Sequence, residues 1–354
     1  HYLKRQRAER DEETVVSPTL TIKAFHARAY RRNISLDRII HNRQFARRFR
    51  DFAENASPPD IVVTDIPTTE AALEAVRYAS SRGIPSVVSI RDLWPDFFVD
   101  FIPAALRPLA RPFISRLDRQ VREACRDASA LVGVSPDYLA WGQRKGGRVN
   151  TTMDAVFPLG YPAIAPSGDA SFRRKQGTFR VSFVGSWGAT YDLDLLLQTA
   201  RLCQSRRDIE FFVAGNSEAR PALREAFQAL PNVRLTGWLN EQQIADLLSN
   251  SDIGLLPYVT DAPQGLPNKC YEYMAYGAYQ LATLRGEIEP FYAATGAGEV
   301  VGGTAAALAA AIVDWVDRRA GSDNRQERVN TFNARFSSSA IYQAMVRHIE
   351  HVAG

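Results

Sequence analysis

Lys269 and Glu272 stand three residues apart in GLPNKCYEYMAYGA (residues 265–278), a spacing that puts both on one face of a helix. Pro267 suits a helix start, Asn268 is expected to cap it, and Gly277 is expected to end it. A helix N-terminus offers unpaired N–H groups and about half a positive charge, so an added lysine fits the site to phosphate. Glu272 could accept hydrogen bonds from a vicinal diol such as ribose. A well-capped amphipathic helix without a ligand is the plainer alternative. The apolar run Ile253–Tyr258 leads into this stretch, and Tyr258, Gln264, Gly265 and Leu266 are counted with Pro267–Lys269 as candidate residues of a phosphate-ester site.

Three loops upstream could supply the rest of a phosphate-ester site. FVGSWG (183–188) runs from a strand into Gly185, Ser186, Trp187 and Gly188, whose glycines would let a phosphate approach the backbone. VAGN (213–216) ends a strand at Gly215 and Asn216, and VRLTGWLN (233–240) repeats the design with Trp238 and Leu239. Tight turns with a buried tryptophan account for these loops equally well. Asp192 and Asp194 resemble a metal-binding Asp-x-Asp, but both sit where acidic residues favour a helix start, so capping is expected. His348 and His351 are too few to make a metal set, and no metal site is expected.

The elements that must carry these loops alternate. Candidate strands are 20–24, 60–64, 86–90, 130–134 and 156–159, then 180–183, 209–214, 233–236, 253–256, 279–283 and 300–301. Helical stretches are expected near 36–54, 69–82, 104–127 and 136–143. A second set lies near 192–205, 218–229, 240–249, 268–276, 288–293 and 304–318. Such alternation specifies an α/β fold with two Rossmann-like, doubly wound domains facing a cleft. The expected bounds are 1–160 for the first domain, 161–177 for a linker and 178–320 for the second domain. C-terminal helices (321–354) would follow and pack back on the first domain. Residues 1–15 are charged and lack strand character, so the first domain reads as missing its leading strand–helix unit.

The 354 residues are 45% hydrophobic and 23% charged, ordinary values for a globular chain of two domains. Net charge is +4, and residues 1–150 hold 25 Lys/Arg against 18 Asp/Glu. That basic half carries no aromatic-basic stripe, which argues against nucleic acid and leaves an anionic membrane surface or acidic acceptor. Three scattered cysteines fit a reducing cytoplasm.

GLPNKCYEYMAYGAYQLAT, followed by FVGSWG, VAGN and the spacing of VRLTGWLN, resembles the family 4 retaining glycosyltransferases of GT-B architecture over most of residues 60–300. RDLWPD (91–96) resembles a first-domain loop of transferases that build bacterial surface polysaccharides. The resemblance implies that Glu272 binds donor ribose, as the second Glu of a Glu–seven residues–Glu signature, while Gly265–Lys269 bind diphosphate and sugar. It implies an acceptor side at Arg91, Asp92 and Trp94. Three departures stand out. Gln264 replaces the first Glu, the Gly185 loop lacks a basic pair, and Arg91 stands where many members have His. Neither His26 nor His41 is singled out as a substitute. An Arg91–Asp92 pair that merely fixes the loop is the plainer reading of that site.

The implied activity is metal-independent retaining transfer of a sugar from a nucleotide-diphosphate donor to a glycan or lipid-linked acceptor, with no cofactor. Asp92, Lys269 and Glu272 are the candidate catalytic residues, Asp92 as acceptor-positioning group or base. A non-catalytic nucleotide-sugar-binding partner subunit is the alternative, favoured by Gln264 and Arg91. An epimerase of similar architecture lacks its acid–histidine set. FFVDFIPAALRPLARPFISRL (97–117), expected to be broken by Pro103, Pro108 and Pro112, combines apolar residues with Arg107, Arg111 and Arg116. It suits peripheral contact with an anionic membrane or, equally, a helix pair covering the sheet. A cytoplasmic location, at the inner face of the membrane, follows from that expectation.

Overall fold

Short apolar runs form the strands, and the amphipathic stretches between them form helices. The computed structural model describes residues 10–30, 35–96, 102, 107–149, 151–218, 220–260, 262 and 265–354. Gln264, Pro103 and most of segment 97–106 therefore lie outside the described residues. The chain divides into two compact units, residues 1–158 with 344–354, and residues 159–343.

In the first unit β1 (Glu12–Ser17) and β2 (Leu20–Ala24) form an antiparallel hairpin. The charged opening gave no strand signal, yet β1 forms. It lies on the surface, so it needs no buried face and no apolar alternation, and Thr14, Val15 and Val16 supply the β-branched character. The chain continues as α1 (Leu36–Asn55), β3 (Val62–Ile66), α2 (Thr69–Ser81), β4 (Ser86–Ile90), α3 (Arg107–Asp127), β5 (Ala130–Gly133), α4 (Pro136–Gly146) and β6 (Ala155–Val156). Strands β3-β4-β5-β6 are parallel and adjacent in that order. With right-handed crossovers, an order that never reverses sends the connecting helices to one face. There Val76, Val121, Ala124 and Cys125 cluster with Val88, Ile90 and Leu131. Val87, Ala130 and Val132 form a separate cluster with Met345 and Val352 from the C-terminal helix. Pro108 and Pro112 do not break α3. Both fall within its first six residues, where Pro108 removes no intrahelical bond and Pro112 removes one.

The second unit comprises β7 (Phe179–Val184), α5 (Leu193–Leu202), β8 (Ile209–Ala214), α6 (Pro221–Gln228), β9 (Val233–Gly237), α7 (Glu241–Ser249), β10 (Ile253–Leu256), α8 (Asn268–Ala275), β11 (Tyr279–Ala282), α9 (Ile288–Thr295), β12 (Gly298–Val300), α10 (Ala305–Asp314) and α11 (Arg325–Arg335). The last helix, α12 (Ser338–Ala353), begins in this unit and ends in the first. All six strands are parallel in the order β12-β11-β10-β7-β8-β9. One face buries Val181, Phe183, Phe211 and Val213 with α5 and α10, and the other buries Phe212, Ala214 and Leu256 with α7 and α8.

The strand order reverses between β7 and β10, and the two strands pair only at Ile253–Val181 and Gly254–Ser182. Beyond that point the Tyr273 hydroxyl of α8 takes over, accepting from Val184 N at 3.1 Å and donating to Leu255 O at 3.1 Å. Gly254 leaves room for the ring, because a Cβ there would lie 2.5 Å from Tyr273 Cγ. Tyr273→Phe keeps the ring and strands the buried Val184 amide. Urea unfolding is expected to show a loss of about 1–3 kcal/mol, and an unchanged midpoint would deny the hydroxyl this role.

Candidate functional site

In an open parallel sheet the carboxyl ends of strands flanking a reversal splay apart and leave a crevice for ligands. Here the loops after β7 and β10 flank it. They are fastened together by Asp192 N to Pro257 O at 2.7 Å and Val259 N to Thr190 O at 3.1 Å. The hydroxyls of Tyr191 and Tyr258 meet at 3.2 Å. Tyr258 is thus buried in this clasp rather than lining an open surface.

Helix α8 starts at the end of the β10 loop. Pro267, not Asn268, occupies its N-cap position and offers no side-chain acceptor, and Asn268 is the exposed first helical residue. Proline at the cap replaces the expected asparagine because the chain is still extended there, at φ −69° and ψ 140°. The first-turn amides are therefore left without a capping side chain. At the other end Gly277, at φ +73°, closes a Schellman motif through Ala278 N to Tyr273 O and Gly277 N to Met274 O, both 3.0 Å. Arg325 donates to Tyr276 O and Arg328 to Gly277 O, so cations occupy the negative end of the helix dipole. Glu287 holds the approach to the helix by accepting from Leu266 N at 3.0 Å.

Lys269 and Glu272 do share a face, and they bond to each other as an ion pair. Glu272 is 7% exposed, so its carboxylate depends on partners for its charge. Glu272 is near enough to Tyr161 for its charge to act on the phenol. Burial first, then the Glu272 charge, push the Tyr161 hydroxyl far above its ordinary ionisation. Cys270 is fully buried in the same helix, and burial pushes its thiol up, which leaves it unsuited to nucleophilic work.

The neighbouring loops bring three glycines into register. Gly185 N donates to Ala214 O at 3.1 Å and Gly215 N to Gly237 O at 2.8 Å. A Cβ on Gly215 would lie 1.9 Å from Gly185 O, so only glycine permits this crossing. Ser186 is exposed at the loop tip. Trp187 instead belongs to the core, edge-on to Phe227 at 5.6 Å, with its indole N–H unpartnered. Leu239 is also core, whereas Trp238 is 68% exposed. Asn216 closes an exposed turn by accepting from Glu218 N at 3.0 Å. Asp192 caps α5 through Leu195 N at 2.8 Å, the role expected of it, whereas Asp194, in the first turn, pairs with Arg220 at 2.9 Å instead of capping. Among the described residues no group of three or more His, Cys, Asp or Glu could hold a metal ion.

In the first unit, Arg91 turns to Asp65 at 3.1 Å and away from the pair with Asp92 considered above. The register of β3 and β4 explains this, since Asp65 stands opposite Ser89, two residues before Arg91 on the same side. Asp92 accepts from Leu93 N at 2.9 Å, and burial holds its carboxyl above the ordinary value, against that amide and the charge of Arg38. Arg38 also lies 4.5 Å over the Trp94 ring. Asp96 fixes the end of the loop by accepting from Trp141 Nε1 at 2.8 Å and Lys145 Nζ at 2.7 Å. His41 bonds Arg28 O at 2.9 Å, and His348 bonds Met153 O at 3.0 Å.

Residues 178–318, within the second unit, match the family described as glycosyl transferases group 1. No curated protein sequence matches the chain. Among solved structures, sucrose-phosphate synthase from Thermosynechococcus elongatus aligns with a TM-score of 0.71 at 15% identity, covering 98% of this chain and 86% of that one. Anabaena HepE in complex with UDP and glucose aligns at 0.63 and 16% identity, covering 90% and 83%. A glycosyltransferase from Rickettsia africae aligns at 0.60 and 13%, covering 93% and 85%. These likenesses establish the α/β fold of GT-B glycosyltransferases.

Lys269→Ala removes the cation beside a buried carboxylate and is expected to destabilise by about 1–3 kcal/mol, between exposed and fully buried pairs. Adding Glu272→Gln should restore most of that loss in a double-mutant cycle followed by urea unfolding. Additive losses would show that the pair is not coupled.

Proposed function

We propose that this protein is a glycosyltransferase that takes a sugar from a nucleotide-diphosphate donor, with the donor on the second unit and an acceptor served by the first. The observation that carries the reading is the uncapped, lysine-bearing start of α8 at the strand reversal, beside the glycine crossing of residues 185, 215 and 237. The group 1 match over 178–318 and the UDP complexes of Anabaena HepE support it. The diphosphate would receive the first-turn amides of α8 and the Lys269 ammonium, and Glu272 the ribose hydroxyls. Exposed Trp238 and the backbone at Gly215 and Gly237 are suited to the base.

In the reaction the bond from the anomeric carbon to the diphosphate breaks as the acceptor hydroxyl adds to that carbon. Charge grows on the departing diphosphate, where the helix start and Lys269 stabilise it, so no divalent metal is required of the mechanism. The sugar passes through an oxocarbenium-like state. Retention of configuration places attack on the leaving-group face, and the acceptor proton goes to a diphosphate oxygen or to Asp92. A glycan or lipid-linked acceptor of bacterial surface-polysaccharide synthesis is the fitting class. Among the described residues no helix is long and apolar enough to cross a membrane. Peripheral contact through 97–117 is supported by exposed Leu109, Arg107, Arg111 and Arg116, and it would bring the protein to the inner face of the cytoplasmic membrane. A nucleotide-binding subunit without turnover is separated from this reading by nucleotide release from sugar donors with and without acceptors.

By calorimetry, UDP, GDP and ADP are to be tested on wild type, Lys269→Ala and Lys175→Ala. Loss of a charge-assisted contact should weaken the best ligand at least about tenfold in Lys269→Ala and leave Lys175→Ala near wild type. Equal affinity in both variants would refute the diphosphate position. Turnover is also expected to survive a chelator, and activity lost with chelator and restored by magnesium or manganese would overturn metal independence.

A further inference from the structure

Among the described residues, a cavity of about 570 Å³ in the first unit is walled by His26, Arg28, Gln44, Arg47 and Arg48, all polar or charged. Gln44, Arg47 and Arg48 stand at i, i+3 and i+4 of α1 and so share one face. His26 and Arg28 come from the segment that follows β2, and that segment is pinned to the helix. Arg28 N donates to Gln44 Oε1 at 2.7 Å, and His41 bonds Arg28 O at 2.9 Å. Asp11 joins the two elements, accepting from His26 N on Oδ1 at 2.7 Å and from Arg48 Nη1 on Oδ2 at 2.7 Å. Phe25 packs on Phe45 at 5.8 Å and Phe52 at 5.7 Å, both of α1. The fold therefore brings these cations together and holds them there.

Three guanidinium groups meet two carboxylates at this place. Arg28 pairs with Asp37 through Nε at 2.9 Å, and Arg48 pairs with Asp11 through Nη1 at 2.7 Å. Among the described residues Arg47 has no acidic partner. A guanidinium carries five N–H donors, so the two pairs leave donors unused on Arg28 and Arg48, beside those of Arg47. Like charges walled together repel, and an anion between them relieves the repulsion. A phosphomonoester brings three strong acceptor oxygens and about two charges, enough to engage three guanidinium groups. A carboxylate brings two oxygens and one charge. The volume falls within the range of small-ligand pockets, which leaves space for the group that carries the phosphate.

We propose that this cavity binds a phosphomonoester, with Arg47 as the cation that the ligand neutralises and Arg28 and Arg48 as supporting donors. Two sources offer that chemistry, a soluble phosphorylated compound and a lipid headgroup of the phosphatidic acid kind. The site shares no residue with the donor site, so it stands whether or not the donor reading does.

The test is calorimetry with inorganic phosphate on the full chain at low ionic strength, where screening is weak. Arg47→Gln is compared with its parent twice, in wild type and in Lys269→Ala, so that phosphate held at α8 does not mask the cavity. Loss of a charge-assisted contact should weaken phosphate about tenfold in Arg47→Gln. The urea midpoint should not move, because Arg47 has no acidic partner to lose, and this keeps a lost fold from passing for a lost site. Unchanged phosphate affinity in both backgrounds overturns the proposal. Cosedimentation with phosphatidylcholine vesicles, with and without phosphatidic acid, separates the two sources. Binding that needs phosphatidic acid, fails in Arg47→Gln and is displaced by inorganic phosphate assigns the lipid headgroup. Phosphate binding without vesicle binding assigns a soluble ligand. If phosphate does not bind, and vesicles either do not bind or bind Arg47→Gln as well as wild type, the cavity is not a phosphate site.

Discussion

The hydroxyl of Tyr273 stands where the central sheet of the second unit would otherwise come apart. A reversal of strand order forces β7 and β10 to part at their carboxyl ends, which opens a crevice and strands backbone groups. One phenol from α8 satisfies an amide of β7 and a carbonyl of β10. The residue that closes the gap belongs to the helix whose first turn faces the opening. Sheet and site are thereby locked into one register, with Gly254 yielding the space that the ring needs.

Electrostatics around α8 follow from the same placement. Its C-terminal carbonyls are held by Arg325 and Arg328, and its N-terminal amides have no capping side chain. Such a helix has its negative end already compensated and its positive end available to an anion. Lys269 adds charge at the available end but is engaged with Glu272. The site is therefore balanced without ligand. Any anion bound there must share the ammonium, and the carboxylate must then find other donors.

Much of this was legible in the sequence. Ile253–Leu256 is a continuous apolar run and Ile209–Ala214 is apolar but for Glu210, and the structure gives those strands the same bounds. Gly277 marked the end of α8, and the three-residue spacing of Lys269 and Glu272 placed them on one face, because helix geometry is local. What was not legible depends on contacts distant in sequence. Nothing near Glu287 announces that it grips Leu266. Trp187 looked like a loop residue aimed at a ligand, and only the position of Phe227 shows that it packs inward. Asn268 was misjudged for a local reason. Proline before it extends the chain, so the cap falls one residue earlier than residue preference suggests.

The RDLWPD loop of the first unit is organised on a different principle. Arg91, Trp94 and Asp96 are each committed, to Asp65, to Arg38 and to the Trp141–Lys145 pair. Asp92 contacts its own neighbour's amide, and burial favours its protonated form. A group held in this way exchanges a proton at a higher pH than an exposed aspartate would, which suits a hydroxyl-bearing acceptor better than a fixed anion site does. In the proposed transfer, positive charge for a departing diphosphate would reside in backbone and one lysine on the second unit. The carboxylate with a displaced titration resides on the first. Two requirements that would conflict in one pocket, where an ammonium beside Asp92 would draw its proton off, are met on separate sheets.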